Sequence, residues 1–484
     1  MTINKHGMRG PGVWTAFVFV LAGITWLGTT STVTMRAAQQ APRASTTPTF
    51  TTDVAPIMYA KCVSCHRPGE VAPMSLITFK EVRPWAGSIR EKVASRVMPP
   101  WHADRQYGVF RNEQSLTPAE IDTIVTWANA GAPEGDPSRL PPLPKFTDGW
   151  QIGSPDAVFE MPTAYEIPAK GEIAYQYFEV PTNFTEDRWM QAGEVRAGDR
   201  ARVHHIIVYV KEPTPTRRPS LFTNRAIASA TPSPAAPAAN ATASTATSEA
   251  IAAAARRLAE QRASSTGAAP SAGAAPVTRG GDQMLVNWAV GEDAPVFLPG
   301  MAKRIPKGSS LVFQVHYTTN GTPGVDKSRV GFIFAKEPPA HEVRTGLIMN
   351  AQFAIPPGAA SHAVEAEATF SEDVNVWSLH PHMHLRGKDM TYTATYPDGR
   401  KEIVLRVPKF DFGWQTEYQL AKPLTLPKGS KLHVVAHYDN SAANRHNPDP
   451  TATVRWGDQT WEEMMIGFFT YTAAGPVAPA TASR

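Results

Sequence analysis

Short strand-like segments separated by turn residues dominate the chain from about Val158 onward, and they constrain its fold more than any other feature. They are YQYFEVP, RVHHIIVYV, SSLVFQVHYTTNG, RVGFIFA, LHVVAHYDNS and MMIGFFTY. Segments of this length, with alternating polarity and with Pro, Gly, Asn and Asp between them, are typical of β-sandwiches. The stretch is long enough for two all-β, jelly-roll-like domains, which we place at 158–338 and 339–475 with the boundary near AKEPPAHEVR.

Residues 48–137 have a helical pattern instead and are predicted to form a small all-α domain. Pro84 can open a helix that carries Ile89 and Val93 on one face. The sequence TPAE beginning at Thr117 is a capping box with proline at the first helical position. The chain is therefore predicted to be multidomain, with one helical domain before two sandwiches.

Two further segments lie outside these domains, and a third interrupts the first sandwich. Residues 1–41 combine basic residues, an apolar run from Val13 to Leu27 and a small-residue zone, which predicts a signal peptide or N-terminal anchor. The protein is then periplasmic, with membrane attachment only if the segment stays uncleaved. Residues 138–157 form a proline-rich linker. Residues 214–279 are rich in Ala, Ser, Thr and Pro, and we expect a disordered, dispensable surface insert.

The net charge is +4 without a basic run, so the sequence gives no indication of nucleic-acid binding. Only two cysteines occur, Cys62 and Cys65, so no disulfide network stabilises the sandwiches. Together with His66 they form C-x-x-C-H, the attachment signal for a covalently bound haem c, with the histidine as one iron ligand. The alternative is a redox or structural disulfide, which the helical flanks and the adjacent histidine disfavour.

A second haem-iron ligand is expected downstream. Met98, in the extended segment RVMPPWHAD, is the preferred candidate and Met74 the rival. This part of the chain resembles the small class I cytochromes c, in which a methionine loop precedes the final helix. Ligation by His66 and Met98 favours electron transfer, because both axial positions are then filled.

Histidines cluster in HPHMHLRGK, beginning at His380. On a strand, residues i and i+2 point to the same face, so His382 and His384 converge while Met383 faces away. Such a pair is suited to a metal, although an isolated H-x-H is also compatible with a solvent-facing polar stripe.

Three more histidines occur in otherwise apolar strands: His204 and His205 in RVHHIIVYV, and His316 in LVFQVHYTTN. An unpartnered imidazole buried there costs about 1–3 kcal/mol. Adjacent strand residues face opposite sides, so His204 and His205 can share a metal only at a strand end or a bulge. The methionines of WEEMMIGFFTY are expected in another strand, and imidazole with thioether suits copper.

The order HH, VHY, H-x-H followed by GK, and then an acidic-Glu-Met segment resembles the copper type II, ascorbate-dependent monooxygenases. Peptidylglycine α-hydroxylating monooxygenase and dopamine β-monooxygenase are members of that family. The resemblance covers about Val158 to Tyr471 and implies two sandwiches facing each other across a solvent-filled cleft. It also implies two copper ions, one for electron transfer and one where O2 binds and substrate is hydroxylated.

Carried over by position, the resemblance assigns the electron-transfer copper to three histidines, His204, His205 and His316. The catalytic copper is assigned to His382, His384 and Met464. Met464 is preferred over Met465 because it directly follows Glu463.

The sequence also departs from the family. In the peptide-amidating branch we expect an arginine, an asparagine and a tyrosine to hold the substrate carboxylate, and the matching positions here are His380, Ile466 and Phe468. Peptidylglycine is therefore not the expected substrate. Three other histidines match no ligand position: His433, His437 and His446.

The sequence thus predicts an exported copper monooxygenase that hydroxylates a C–H bond of a small organic substrate with O2. The fused haem would deliver electrons from an upstream donor, either an ascorbate-like reductant or a redox protein. The alternative is a non-enzymatic haem and copper electron carrier or copper-binding protein, against which the presence of Met464 argues.

Overall fold

The structure, a computed structural model, describes residues 47–475 except 69, 71, 73, 147–148, 172, 214–219, 228–282 and 290–293. It is 12% helix and 39% strand, so the fold is mostly β-sheet with few helices. The segment 1–41, predicted to be a signal peptide or anchor, lies outside the described residues. None of the helices described is both long enough and apolar enough to span a membrane.

Helical structure precedes residue 140. The α-helices are α1 (Ala55–Lys61), α2 (Phe79–Val82), α3 (Ala86–Ala94) and α4 (Pro118–Asn129). A π-helical turn covers Phe50–Val54, and 3₁₀ turns cover Arg83–Trp85 and Pro137–Arg139. The predicted capping box at Thr117 is present, since its hydroxyl accepts from the Glu120 N–H at 3.2 Å and the Glu120 carboxylate accepts from the Thr117 N–H at 2.7 Å.

The strands of the first half are β1 (Ala157–Glu160), β2 (Tyr165–Ile167), β3 (Gln176–Pro181), β4 (Arg188–Arg196), β5 (Val203–Lys211), β6 (Phe222–Ile227), β7 (Gln283–Ala289), β8 (Met301–Ile305), β9 (Ser310–Tyr317), β10 (Gly324–Asp326), β11 (Arg329–Phe334) and β12 (His341–Glu342). Two sheets, ordered β1-β11-β4-β8-β12 and β3-β9-β5-β7, form the first sandwich. Their inner faces meet in one buried cluster that includes Met190 and Phe332 from the first sheet and Ile206 and Phe313 from the second.

The strands of the second half are β13 (Arg344–Met349), β14 (Ala354–Ile355), β15 (His362–Phe370), β16 (Val374–His382), β17 (Gly387–Thr395), β18 (Lys401–Val407), β19 (Tyr418–Leu426), β20 (Lys431–Tyr438), β21 (Val454–Arg455) and β22 (Ile466–Ala473). Sheets β13-β22-β16-β19 and β18-β17-β20-β15-β6 form the second sandwich around a larger buried cluster. Packing, without disulfides, stabilises both sandwiches, since the only two cysteines of the sequence, Cys62 and Cys65, lie outside them, directly after α1.

The prediction that 214–279 is wholly a disordered, dispensable insert is wrong at its start. β6, which lies inside that range, pairs antiparallel with β15, with Phe222 opposite Phe370. The ring of Phe222 also lies 5.1 Å from that of Phe469, centroid to centroid. The Ala- and Ser-rich composition of the whole segment hid this short strand, which forms one edge of the five-stranded sheet of the second sandwich. The rest of the proposed insert, apart from Ser220 and Leu221, lies outside the described residues.

The loop between α3 and α4 packs against the second sandwich. Its Phe110 makes a bridge with Leu420, and the Arg111 N–H donates to the Gln419 carbonyl at 2.9 Å. The rings of Trp101 and Tyr418 also meet edge-on at 5.0 Å. The helical part is therefore held directly against β19 and the loop that precedes it.

Candidate metal centres and the adjoining cavity

The first histidine group lies on β5 and β9 of the first sandwich. His205 is the register partner of His316, and the pairing between these strands shifts between Val203 and His205. This irregularity at the start of β5 brings the His204 side chain to the same side of the strand as that of His205. The strand end and bulge that the sequence required for a shared metal are both present.

The ligand nitrogens of this group converge. The Nδ1 atoms of His204 and His205 lie 3.1 Å apart, and those of His316 and His204 lie 3.3 Å apart. Imidazoles that bind a metal at about 2.0–2.1 Å in near-tetrahedral geometry have nitrogens roughly 3.1–3.4 Å apart. The three Nδ1 atoms therefore fit a single metal ion, in agreement with the close grouping of these donors.

Burial keeps these imidazoles neutral, which is the form that binds metals. Desolvation lowers the pKa of His204 to about 4 and that of His316 to about 3, and it lowers the pKa of His205 well below its usual value. Tyr175 packs edge-on against the His316 ring at 5.0 Å. The group is consequently shielded from water on that side.

The second histidine group lies at the end of β16. His382 is the last residue of the strand and His384 lies in the following loop, with their ring centroids 5.3 Å apart. The pair is thus formed at a strand end rather than within a regular strand. Met383 is fully buried in the core of the second sandwich, as the alternation predicts.

In this second group the Nε2 atoms are the available donors. The His382 Nδ1–H donates to Gln415 Oε1 at 2.5 Å, and the His384 Nδ1–H donates to the Glu462 carbonyl at 3.2 Å. These bonds fix the tautomers and leave each Nε2 with a lone pair, as in metal-binding histidines. Nε2 of His384 is buried and has no hydrogen-bond partner among the described residues, which fits a metal ligand.

Glu463 holds the loop that contains His384. Its carboxylate oxygens accept from the backbone N–H of His384 at 2.8 Å and from that of Arg386 at 2.6 Å. It is fully buried, and it directly precedes Met464 in the chain. The acidic-Glu-Met motif therefore brings the H-x-H loop and the methionine segment together.

The two adjacent methionines have different surroundings. Met465 is fully buried in the core of the second sandwich, whereas Met464 is only partly buried. The prediction that both lie in a strand is wrong, since β22 begins at Ile466. The Tyr438 hydroxyl donates to the Met464 carbonyl at 2.7 Å and anchors the backbone there. Of the two methionines, Met464 is the less buried, and it stays the predicted ligand.

The remaining candidate positions are also located. His380 is buried on β16 with its ring 5.6 Å from that of Phe468. His433 and His437 contact carboxylates away from both groups, Glu365 at 3.0 Å and Asp389 at 2.6 Å respectively. His446 lies in an exposed loop beside Arg445.

A cavity of about 430 Å³ lies between the helical part and the second sandwich. Its wall includes the four predicted haem-binding residues, Cys62, Cys65, His66 and Met98. The size falls in the range of about 300–1,000 Å³ that cofactor sites occupy. Desolvation raises the pKa of the Cys62 thiol to about 12, whereas redox-active C-x-x-C motifs have a lowered cysteine pKa.

The orientation of His66 bears on the choice between the two methionines. Its Nδ1–H donates to the Met74 carbonyl at 3.2 Å, which leaves the lone pair of Nε2 unused by this hydrogen bond. Met74 and Met98 both line the cavity. The hydrogen bond places the Met74 backbone beside the histidine, and Met98 stays the predicted second ligand.

Two residues at the site were missed by the sequence reasoning. The ring of Phe412 stacks on His204 at 5.2 Å and meets His384 at 6.0 Å, so it contacts both histidine groups. A phenyl ring thus stands between them where the resemblance implies a solvent-filled cleft. Gln415 is the partner of His382. Both residues lie in DFGWQTEY, which has no periodicity or motif that would have identified them.

No family model matches the chain. Among solved structures, a protein from Eubacterium rectale is 10% identical, with a TM-score of 0.17, and the match covers 62% of this chain and 69% of that chain. The infectious bursal disease virus VP2 subviral particle is 9% identical, with a TM-score of 0.15, 66% of this chain covered and 81% of that chain. Likeness at this level carries no functional argument.

Proposed function

We propose that this protein is an exported copper- and haem-containing monooxygenase that hydroxylates a C–H bond of a small organic substrate with O2. One observation carries the proposal. Two buried histidine groups, one presenting Nδ1 atoms and the other Nε2 atoms, meet across Phe412 beside a cavity that contains a C-x-x-C-H motif. This combination supports relatedness to the copper type II monooxygenases, with a class I-like cytochrome c domain in front.

Each set of donor side chains suits one metal ion or cofactor. His204, His205 and His316 would hold one copper, and His382, His384 and Met464 would hold the other. Cys62 and Cys65 would attach the haem, with His66 and Met98 as axial ligands. When bound, these groups supply single electrons from the haem, and copper with imidazole and thioether donors supplies electron storage and reactivity towards O2.

The protein's own residues prepare these sites. Burial holds the imidazoles neutral, and hydrogen bonds to Gln415 and to the Glu462 carbonyl orient the second pair. Glu463 keeps the H-x-H loop in place beside the methionine segment. Phe412 places an apolar ring against His204 of the first group and His384 of the second.

The substrate we propose is neutral rather than a carboxylate. The positions matching the family's carboxylate-binding residues are His380, Ile466 and Phe468, all buried. Desolvation lowers the pKa of His380 to about 4, so this imidazole carries no charge at neutral pH. A carboxylate would find no cation among these residues, which argues against peptidylglycine.

A haem and copper electron carrier is the second candidate, and the contact of Phe412 with both histidine groups favours it because it shortens the route between them. The monooxygenase and the electron carrier both require one haem and two coppers per chain, which metal analysis and visible spectroscopy of the purified protein test. Oxygen uptake distinguishes the two functions. Reduced protein should consume O2 at a rate that depends on an added neutral organic compound, whereas uptake independent of every compound in a broad panel supports the carrier.

A further inference from the structure

One loop contacts the cavity and both histidine groups. It runs from Phe412 to Glu417, between β18 and β19, and we call it the bridging loop. Its last four residues, 414–417, line the cavity together with Gln419. Its first residue, Phe412, contacts both histidine groups.

Gln415 makes the shortest of these connections. It is only 6% exposed, lines the cavity, and accepts from the His382 Nδ1–H at 2.5 Å. Its Nε2 also donates to the Phe412 carbonyl at 3.4 Å, which fixes the amide orientation. A single side chain thus joins the cavity wall to a ligand of the second histidine group.

The route from the cavity to the first group is longer. It runs back along the backbone to Phe412 and then across a ring contact of 5.2 Å to His204. By contrast, the route to the second group crosses one hydrogen bond. The two groups therefore differ in how directly they are connected to the cavity.

We propose that Gln415 is a positioning residue that orients His382 and links the haem cavity to the second copper site, so that this site receives the first electron from the haem. With both groups bound, the step would move one electron, oxidising ferrous haem to ferric and reducing Cu(II) to Cu(I), and the upstream donor would reduce the haem again. This inference rests on the proposed function, since it requires haem and copper in their sites.

The test uses the full-length protein loaded with haem and copper. Gln415→Leu removes the hydrogen-bond acceptor at nearly constant volume, and Gln415→Glu retains an acceptor. Gln419→Leu is the matched control, because Gln419 also lines the cavity but its Oε1 accepts from Arg111 at 2.8 Å. Loss of an outer hydrogen-bond partner typically weakens metal binding about 10–100-fold. We expect that loss at the second site in Gln415→Leu, with an altered Cu(II) EPR spectrum, retained second-site copper affinity in Gln415→Glu, and wild-type behaviour in Gln419→Leu.

Electron delivery is measured by flash photoreduction of the haem, following its reoxidation by absorbance in copper-saturated protein. His316→Ala leaves only the second site intact and should keep the fast phase of reoxidation. His384→Ala leaves only the first site intact and should lack the fast phase of reoxidation. The double variant Gln415→Leu with His316→Ala should also lack it.

Two results would overturn the inference: an unchanged second-site copper affinity and spectrum in Gln415→Leu, or a fast phase that survives in His384→Ala and disappears in His316→Ala. Absence of haem or of second-site copper from the wild-type protein would instead overturn the proposed function, and that is seen before any variant is compared.

Discussion

Replacing Glu463 by alanine should dismantle the second copper site while leaving the first one intact. The Glu463 carboxylate accepts from the backbone N–H groups of His384 and Arg386 inside the protein, where no exposed surface reaches it. Without it, both N–H groups lose their acceptor, and the loop that carries His384 loses its connection to the methionine segment.

The magnitude follows from those two hydrogen bonds. A buried donor left without a partner costs about 1–3 kcal/mol, so the pair costs about 2–6 kcal/mol. That is a large part of the roughly 5–15 kcal/mol by which a typical domain is stable. Because about 1.4 kcal/mol corresponds to tenfold, even the middle of the range weakens copper binding at the second site by roughly 100-fold or more. Glu463→Gln retains one acceptor oxygen and should have about half the effect.

Copper titration against a competing chelator, with EPR to separate the two sites, measures this prediction. Glu462→Ala is the control, because Glu462 contacts His384 through its backbone carbonyl, which any residue supplies. Its carboxylate accepts from the Gln459 N–H instead. Second-site copper binding that is unchanged in Glu463→Ala, or equally weakened in Glu462→Ala, would refute the reasoning.

Three further predictions concern other parts of the chain. Met98→Ala should abolish the sulfur-to-iron absorption band of the haem, and loss of that band in Met74→Ala instead would reverse the ligand assignment. Phe222→Ala should lower the free energy of unfolding by about 2 kcal/mol, less than the 3–5 kcal/mol of a fully buried phenylalanine; an unchanged denaturation midpoint would contradict the role of β6. The hydrogen bond to Asp389 raises the pKa of His437, so this pair stabilises the fold at pH below about 6.5 and the contribution is lost as pH rises through the raised pKa. His437→Gln should therefore lower the free energy of unfolding by up to about 1 kcal/mol at about pH 6, and by less at pH 8. A difference between the variant and the wild type that does not change with pH would contradict this role of the pair.

Much of the strand pattern was predictable because the signals are local. Alternation in segments such as RVHHIIVYV and SSLVFQVHYTTNG placed β5 and β9 correctly. The chemistry of two adjacent histidines required a bulge or a strand end, and the structure has both at His204. Local geometry and ligand chemistry were sufficient at this site.

The rest depended on contacts that no local pattern records. β6 was hidden because its composition was averaged over a long Ala- and Ser-rich segment, and its partner β15 lies more than a hundred residues away. The roles of Phe412 and Gln415 arise where a loop of one sandwich meets a strand of the other and the wall of the cavity. Sequence spacing contains no information about such a three-way junction.

X-ray absorption at the copper edge tests the central claim most directly, because it asks whether a thioether and histidines bind the same ion. Reduced, copper-loaded protein should show a Cu–S scattering component, which should vanish in Met464→Ala and persist in Met465→Ala, since Met465 is buried in the core. If the Cu–S component persists in Met464→Ala and is lost in Met465→Ala, the ligand is Met465 and not Met464. Absence of sulfur scattering from the wild-type protein would contradict the monooxygenase proposal itself.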